Sequence, residues 1–182
     1  MKIFAETERL ILREILPSDV EGFFALDSDP EVHRYLGSTP VQNRAQIVGA
    51  IEFIRQQYLD NGIGRWAVID KNTHDFIGWA GLKLIKESTN KHVNYYDLGY
   101  RLRREYWRQG IATEAAFASL VYAFDRLNAH EVYAMANCEN TGSNKVLTRV
   151  GLTLIETFFL HETKCNWYKI DSAAFENKRN DR

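Results

Sequence analysis

The chain has 182 residues, 45% hydrophobic and 26% charged, the make-up of a globular protein with length for a sizeable core. A net charge of −1 excludes a global field that would recruit nucleic acid or an acidic membrane, and no run approaches the roughly 18 apolar residues of a membrane span. Cys138 and Cys165 are too few for a disulfide framework or a zinc site, so the expected setting is reducing and cytoplasmic, with one domain over 1–182, a core over about 7–171 and a polar tail over 172–182.

Met1 to Glu6 turns acidic at once, unlike a signal peptide. Residues 9–16 place apolar side chains between charges and suit a strand. Ser18 and Glu21 form a capping-box pattern ahead of a helix over 18–27. Pro30 opens a short helix to Leu36, and Thr39-Pro40-Val41-Gln42 reads as the start of a longer one. In that helix Ile47, Ile51, Ile54 and Tyr58 recur at helical spacing until Gly62. Strands follow over 66–69, 76–85 and about 93–102, joined by turns as in an antiparallel meander. A helix over 112–127 stops at Asn128, and 131–136 is a strand. Residues 142–150 form a helix closed by Gly151, and strands near 153–160 and 165–170 complete a mixed sheet with helices packed on it.

The segment Trp107-Arg108-Gln109-Gly110-Ile111-Ala112-Thr113-Glu114-Ala115 narrows to one glycine and enters a helix of small residues. The first N–H groups of a helix lack intrahelical partners, and with the helix dipole they attract anions, phosphate above all. Neither G-x-G-x-x-G nor G-x-x-x-x-G-K-S/T occurs, so a nicotinamide or ordinary nucleoside triphosphate site is not supported.

Five pieces in order over most of the chain resemble the GNAT superfamily of N-acetyltransferases, in its RimJ/RimL-type branch. Thr7 to Arg13 is similar to its opening strand, and Asp29 to Leu36 to its early helix. Leu98-Gly99-Tyr100-Arg101-Leu102 resembles the strand before the acetyl-CoA loop, and Tyr106 to Ala115 the loop and its helix. Asn140, Ser143 and Val150-Gly151-Leu152 are similar to the last helix of the family. The resemblance implies a mixed α/β fold: a twisted, mostly antiparallel sheet of about seven strands flanked by helices, with a splayed strand pair for acetyl-CoA. It implies acetyl-CoA as co-substrate and no metal. Backbone N–H groups of Arg108, Gln109, Gly110, Ile111, Ala112 and Thr113 would hold the pyrophosphate. Leu102, Arg103 and Asn140 would line the pantetheine path, and a backbone N–H near Leu102 would take the oxyanion. Two positions depart from the pattern: Arg108 stands where glycine is common, and Leu147 where many members carry a tyrosine acid.

Asp97 is the expected base and Ser143 the expected donor to the departing thiolate. Each residue also has a plainer reading: Gly110 as a turn, Asp97 as a solvated strand residue, Ser143 as a helix cap, Asn140 as turn chemistry. His33, His130 and Cys138 read as surface or packing residues, and Trp66, Trp79 and Tyr35 as core. The acceptor is a primary amine, either a protein N-terminal α-amine such as that of a ribosomal protein, or a small amine such as a polyamine or amino-acid derivative. A non-catalytic acyl-CoA-binding module is the alternative from another class. A third reading, an RNA-associated factor using Arg101, Arg103, Arg104 and Arg108, is weaker. No membrane or nucleic-acid partner is expected, and the protein is expected to be a monomer or homodimer.

Overall fold

A computed structural model describes residues 1–37 and 39–181. Its strands are β1 (Ile3–Glu6), β2 (Leu10–Glu14), β3 (Arg65–Asp70), β4 (Phe76–Ile85), β5 (Tyr95–Leu102), β6 (Glu131–Asn137), β7 (Thr153–Leu160) and β8 (Thr163–Asp171). Its α-helices are α1 (Val20–Asp27), α2 (Pro30–His33), α3 (Arg44–Asn61), α4 (Ile111–Asp125), α5 (Thr141–Arg149) and α6 (Ser172–Asn180). The strands form one sheet in the order β1-β2-β3-β4-β5-β6-β8-β7. Every neighbouring pair is antiparallel except β5 with β6. The sheet therefore has eight strands, not about seven, and the addition is β1, which pairs with β2 at the edge.

Period-two alternation sends apolar side chains to both faces. On one face Leu10, Leu12, Trp66, Val68, Ala80, Leu82, Leu98, Val132 and Ala134 meet α4, whose Ala115, Ala116, Leu120 and Ala123 are buried. The alanines let the helix lie close to the sheet. On the other face Ala67, Ile69 and Phe76 pack under Phe23 and Leu26 of α1 and Ile47 and Ile51 of α3.

The short helix from Pro30 ends at His33 rather than Leu36, and three further differences from the sequence reading have a visible cause. The start of α3 is set by Asn43, not Thr39: the Asn43 side chain accepts from the Gln46 N–H, and the Gln46 side chain accepts from the Asn43 N–H. Two start signals compete within a few residues, and the one that closes a reciprocal capping box wins. Ser18 and Glu21 form no such box; Glu21 instead pairs with Arg44 of α3 at 2.6 Å. The expected polar tail begins as a helix, because Asp171 caps it by accepting from the Ala174 N–H and Phe175 is fully buried, stacked on Phe124 with ring centroids 4.8 Å apart. Burying one Phe stabilises by about 1.5–3 kcal/mol, enough to dock a short polar helix. Arg182, the last residue of that expected tail, lies outside the described residues. No described helix is long and apolar enough to cross a membrane.

Candidate active site

The sheet opens at its one parallel junction. β5 and β6 pair only at Tyr96 with Val132 and Asp97 with Tyr133. Beyond that point β5 stays with β4 to Leu102, while β6 stays with β8 to Asn137. The Arg103 N–H donates to the Ile77 carbonyl at 2.9 Å. In an antiparallel ladder alternate residues face opposite edges, so the N–H groups of Leu102 and Tyr100 point into the split. The Leu102 carbonyl accepts from the Trp107 indole at 2.8 Å, a tie between strand and loop that the sequence reading missed.

The loop after β5 leads directly to α4. Arg108 has φ 61° and Gly110 φ 79°. Arg108 thus holds the left-handed conformation in which glycine is at ease, and Gly110, as N-cap, puts no side chain over the helix end. The first intrahelical donor is the Glu114 N–H, which bonds the Gly110 carbonyl at 3.0 Å. The N–H groups of Ile111, Ala112 and Thr113 precede it and are free of intrahelical partners. Ile111 and Thr113 have buried side chains, and Ala112 is small, so the helix start offers backbone rather than bulk.

Arg9, in the turn just before β2, braces this loop. Its Nη1 donates to the Gln109 carbonyl at 2.9 Å and its Nε to Glu114 Oε2 at 2.7 Å. Glu114 also accepts from Thr7 Oγ1 and from the Arg9 N–H. Burial pushes the Glu114 carboxyl up, but hydrogen bonds from Thr7 and Arg9 outweigh it and hold the group below its ordinary range. A hollow of about 540 Å³ opens beside the loop, bounded by Thr7, Gly110, Glu114, Phe117 and Arg149. Arg103 is committed elsewhere: its guanidinium donates to the Phe76 carbonyl at 3.1 Å and pairs with Glu105 at 2.5 Å, and its N–H faces β4. The arginine cluster is likewise divided, since Arg101 turns under the sheet to Asp27 at 2.6 Å.

Across the split, Asn140 caps α5 by accepting from the Ser143 N–H at 3.0 Å. The cap is therefore Asn140, and Ser143 stands inside the first turn. The Ser143 hydroxyl meets the Tyr100 hydroxyl of β5 at 2.9 Å, and the Tyr100 hydroxyl also reaches the Ser143 carbonyl at 3.1 Å. Burial, the main cause, pushes the Tyr100 phenol up against a smaller opposing effect of Ser143. Asn144 locks α5 to the sheet: its Nδ2 donates to the Asn137 and Asn140 carbonyls, and its Oδ1 accepts from Asn166 and from Tyr168. Leu147 is buried in the core.

On the opposite face, Asp97 is buried and ion-paired with Arg65, so it is not a solvated strand residue. Arg65 Nη1 also donates to the Gly81 and Asp97 carbonyls at 2.6 Å. A Cβ at Gly99 would meet Arg65 Nη2 at 2.6 Å, so a larger residue there would displace the guanidinium. Burial raises the Asp97 carboxyl, opposed by the charge and hydrogen bond of Arg65. The guanidinium carbons of Arg65 and Arg101 lie 5.4 and 5.2 Å from the Trp79 ring. Tyr95, Tyr133 and Trp167 continue this face as an aromatic wall, with His92 stacked on Trp167. Trp66 is core, as read.

Residues 9–153 match the family model described as Acetyltransferase (GNAT) domain. The chain is 32% identical over 146 residues to an uncharacterized N-acetyltransferase, YoaA of Bacillus subtilis (strain 168), covering 80% of each protein. It is 29% identical over 157 residues to the FsC-acetyl coenzyme A-N(2)-transacetylase of Aspergillus fumigatus, covering 84% of this chain and 66% of that protein. Its fold is similar to that of Mycobacterium smegmatis RimJ in complex with CoA-disulfide, with a TM-score of 0.79 at 15% identity, covering 94% of this chain and 88% of the other.

Proposed function

The chain belongs to the acetyltransferase (GNAT) domain family and is an N-acetyltransferase, and from that premise we propose that it moves the acetyl group of acetyl-CoA to the N-terminal α-amine of a protein by direct attack in a ternary complex. The observation that carries the acetyl-CoA half of this reading is the split between β5 and β6, with the bare N-terminus of α4 following at the end of β5; the protein acceptor is supported by the likeness in fold to RimJ.

A pyrophosphate suits the N–H groups of Arg108 to Thr113, and the hollow beside Gly110 has room for the nucleotide end. A pantetheine arm fits the split as an added strand, using main-chain hydrogen bonds along β5. From Leu102 back to Asp97 the strand runs about 16 Å at roughly 3.3 Å per residue. The phosphates belong at the Leu102 end, so the thioester belongs deeper, near Tyr100. The Leu102 N–H then serves the arm, and the Tyr100 N–H is the better oxyanion donor. Because the Asn140 side-chain oxygen is used in the cap, Asn140 would meet the arm through its Nδ2.

Asp97 lies at the closed end of the split and is the proposed base; Arg65 pairs with it and opposes the rise that burial causes. Freeing an α-amine at pH 7 costs about 1.2 kcal/mol, and freeing a lysine about 4.6, from ordinary values near 7.9 and 10.4. A carboxylate tempered by an arginine suits the easier task. The likeness to the FsC-acetyl coenzyme A-N(2)-transacetylase favours a second reading, an acceptor other than a protein N-terminus, such as a small amine.

The test is to incubate the protein with acetyl-CoA and a panel of amino-terminal peptides, lysine peptides and small amines, and to follow free thiol. Thiol release with the amino-terminal peptides, and acetyl found on their α-nitrogen, is expected. Release with small amines alone would establish the second reading.

A further inference from the structure

The hydrogen bond from Tyr100 to Ser143 is placed where a departing thiolate would need help. Tyr100 lies past the last β5–β6 pair, and Ser143 lies on the helix that follows β6. Their contact at 2.9 Å is thus a side-chain bridge between the two sides of the opened sheet. Leu147 offers no hydroxyl from the next turn of α5, so Tyr100 brings a phenol to this side of the split from a strand instead.

We propose that Tyr100 is a positioning residue that aims the Ser143 hydroxyl at the sulfur of the acyl donor, so that Ser143 hydrogen-bonds the thiolate as the C–S bond breaks; this rests on the reading of the split as the acetyl-CoA site. A serine hydroxyl has one proton. If it donates to Tyr100, nothing is left for the sulfur. The phenol has one proton and two acceptors, the Ser143 carbonyl at 3.1 Å and Ser143 Oγ at 2.9 Å; when it donates to Oγ, the serine proton is free to point into the split. Burial holds the phenol protonated through the neutral range, so the donor stays a donor. Asn140 and Asn144 fix the first turn of α5 on either side of Ser143, so the choice of direction rests on the torsions of the Tyr100 and Ser143 hydroxyls. No covalent change is required of Tyr100 or Ser143: the electron pair of the C–S bond goes to sulfur, and the thiolate takes its proton from solvent on release.

The test compares the wild type with Tyr100→Phe, Ser143→Ala and the double variant. The first readout is the pKa of the thiol in bound CoA, followed by thiolate absorbance against pH. Loss of a hydrogen bond to an anion should raise that pKa by about one unit in each single variant. The second readout is kinetic: kcat should fall about ten- to hundredfold, with acetyl-CoA affinity changed less than about threefold. The double variant should be no worse than either single one, because both remove the same donor. An unchanged thiol pKa in Tyr100→Phe, or effects that multiply in the double variant, would overturn the proposal. Should Tyr100→Phe fail to fold, fluorotyrosine at position 100 replaces it: a stronger donor should lower the bound-thiol pKa, and no change would be equally damaging. Wild-type protein that binds no CoA would instead sink the underlying reading of the split.

Discussion

Arg9 Nη2 lies 2.6 Å from Glu114 Oε2, which joins the turn between β1 and β2 to the first turn of α4 across more than half of the sequence. The same guanidinium donates to the Gln109 carbonyl, so one side chain grips the anion loop on both sides of Gly110. Glu114 near the start of a helix would ordinarily compete with an incoming phosphate. Paired with Arg9 it is neutralised, and the site keeps the positive end of the dipole.

Replacing Arg9 by Met should therefore weaken acetyl-CoA binding more than it weakens the fold. Arg9 is 43% exposed at its side chain and Glu114 19%, so the pair is discounted to about 1 kcal/mol of stability. Binding should fall about tenfold or more, because the loop loosens and a bare carboxylate faces the phosphates. Calorimetric titration alongside a thermal melt checks this. Equal affinity in Arg9→Met would show that the loop holds its shape unaided.

The pH dependence of this clamp has a fixed sign. The folded-state value of Glu114 lies below the ordinary 4.5, so its contribution is present above that value and is lost as pH falls through the folded one. Glu114→Gln carries no such titration. The stability gap between wild type and Glu114→Gln should be constant near neutrality and shrink below about pH 4.5. Denaturant melts at stepped pH measure the gap, and a gap that widens in acid would contradict the assignment.

Arg108 offers a separation of backbone from side chain. Its φ of 61° costs a non-glycine residue about 1 kcal/mol, comparable to what glycine loses in chain entropy. Arg108→Gly should then leave the melting temperature within a few degrees. If the guanidinium touches phosphate, acetyl-CoA affinity should drop severalfold and depend less on salt. Affinity and salt slope matching the wild type would leave Arg108 as a backbone position only.

What could be read from sequence follows from how local the signal was. The anion loop spans nine contiguous residues, and its glycine and small side chains advertise the backbone on their own. The splayed pair followed from resemblance, and the strand register agrees with it. The contacts that shape the site are distant: Arg9 to Gln109, Tyr100 to Ser143, Arg65 to Asp97. No spacing rule links an arginine in one strand to a carboxylate two strands away. The glycines at 81 and 99 were the available hint, because each leaves room beside a large side chain: Trp66 lies against Gly81 and Arg65 against Gly99. The edge strand β1 was missed because four residues with one buried side chain carry almost no periodicity.

The Arg65–Asp97 pair yields the sharpest check on the base. Burial pushes the Asp97 carboxyl up, and Arg65 restrains it. Arg65→Gln keeps hydrogen-bond donors but removes the charge, so the Asp97 value should climb further. A base must be ionised to act, and the acid limb of kcat/KM against pH should therefore move to higher pH in Arg65→Gln. The stability follows with its own sign. A carboxyl raised in the folded state adds stability that is complete below its unfolded value and lost as pH rises through the folded one. Arg65→Gln should thus lose the most stability at neutral pH and recover part of it in acid. Asp97→Asn removes the titrating group, so its stability should lack this pH dependence. Rate profiles and melts over the same pH series decide the matter. If the acid limb stays in place while stability shifts as described, Asp97 holds Arg65 for the fold and a water or another residue takes the proton.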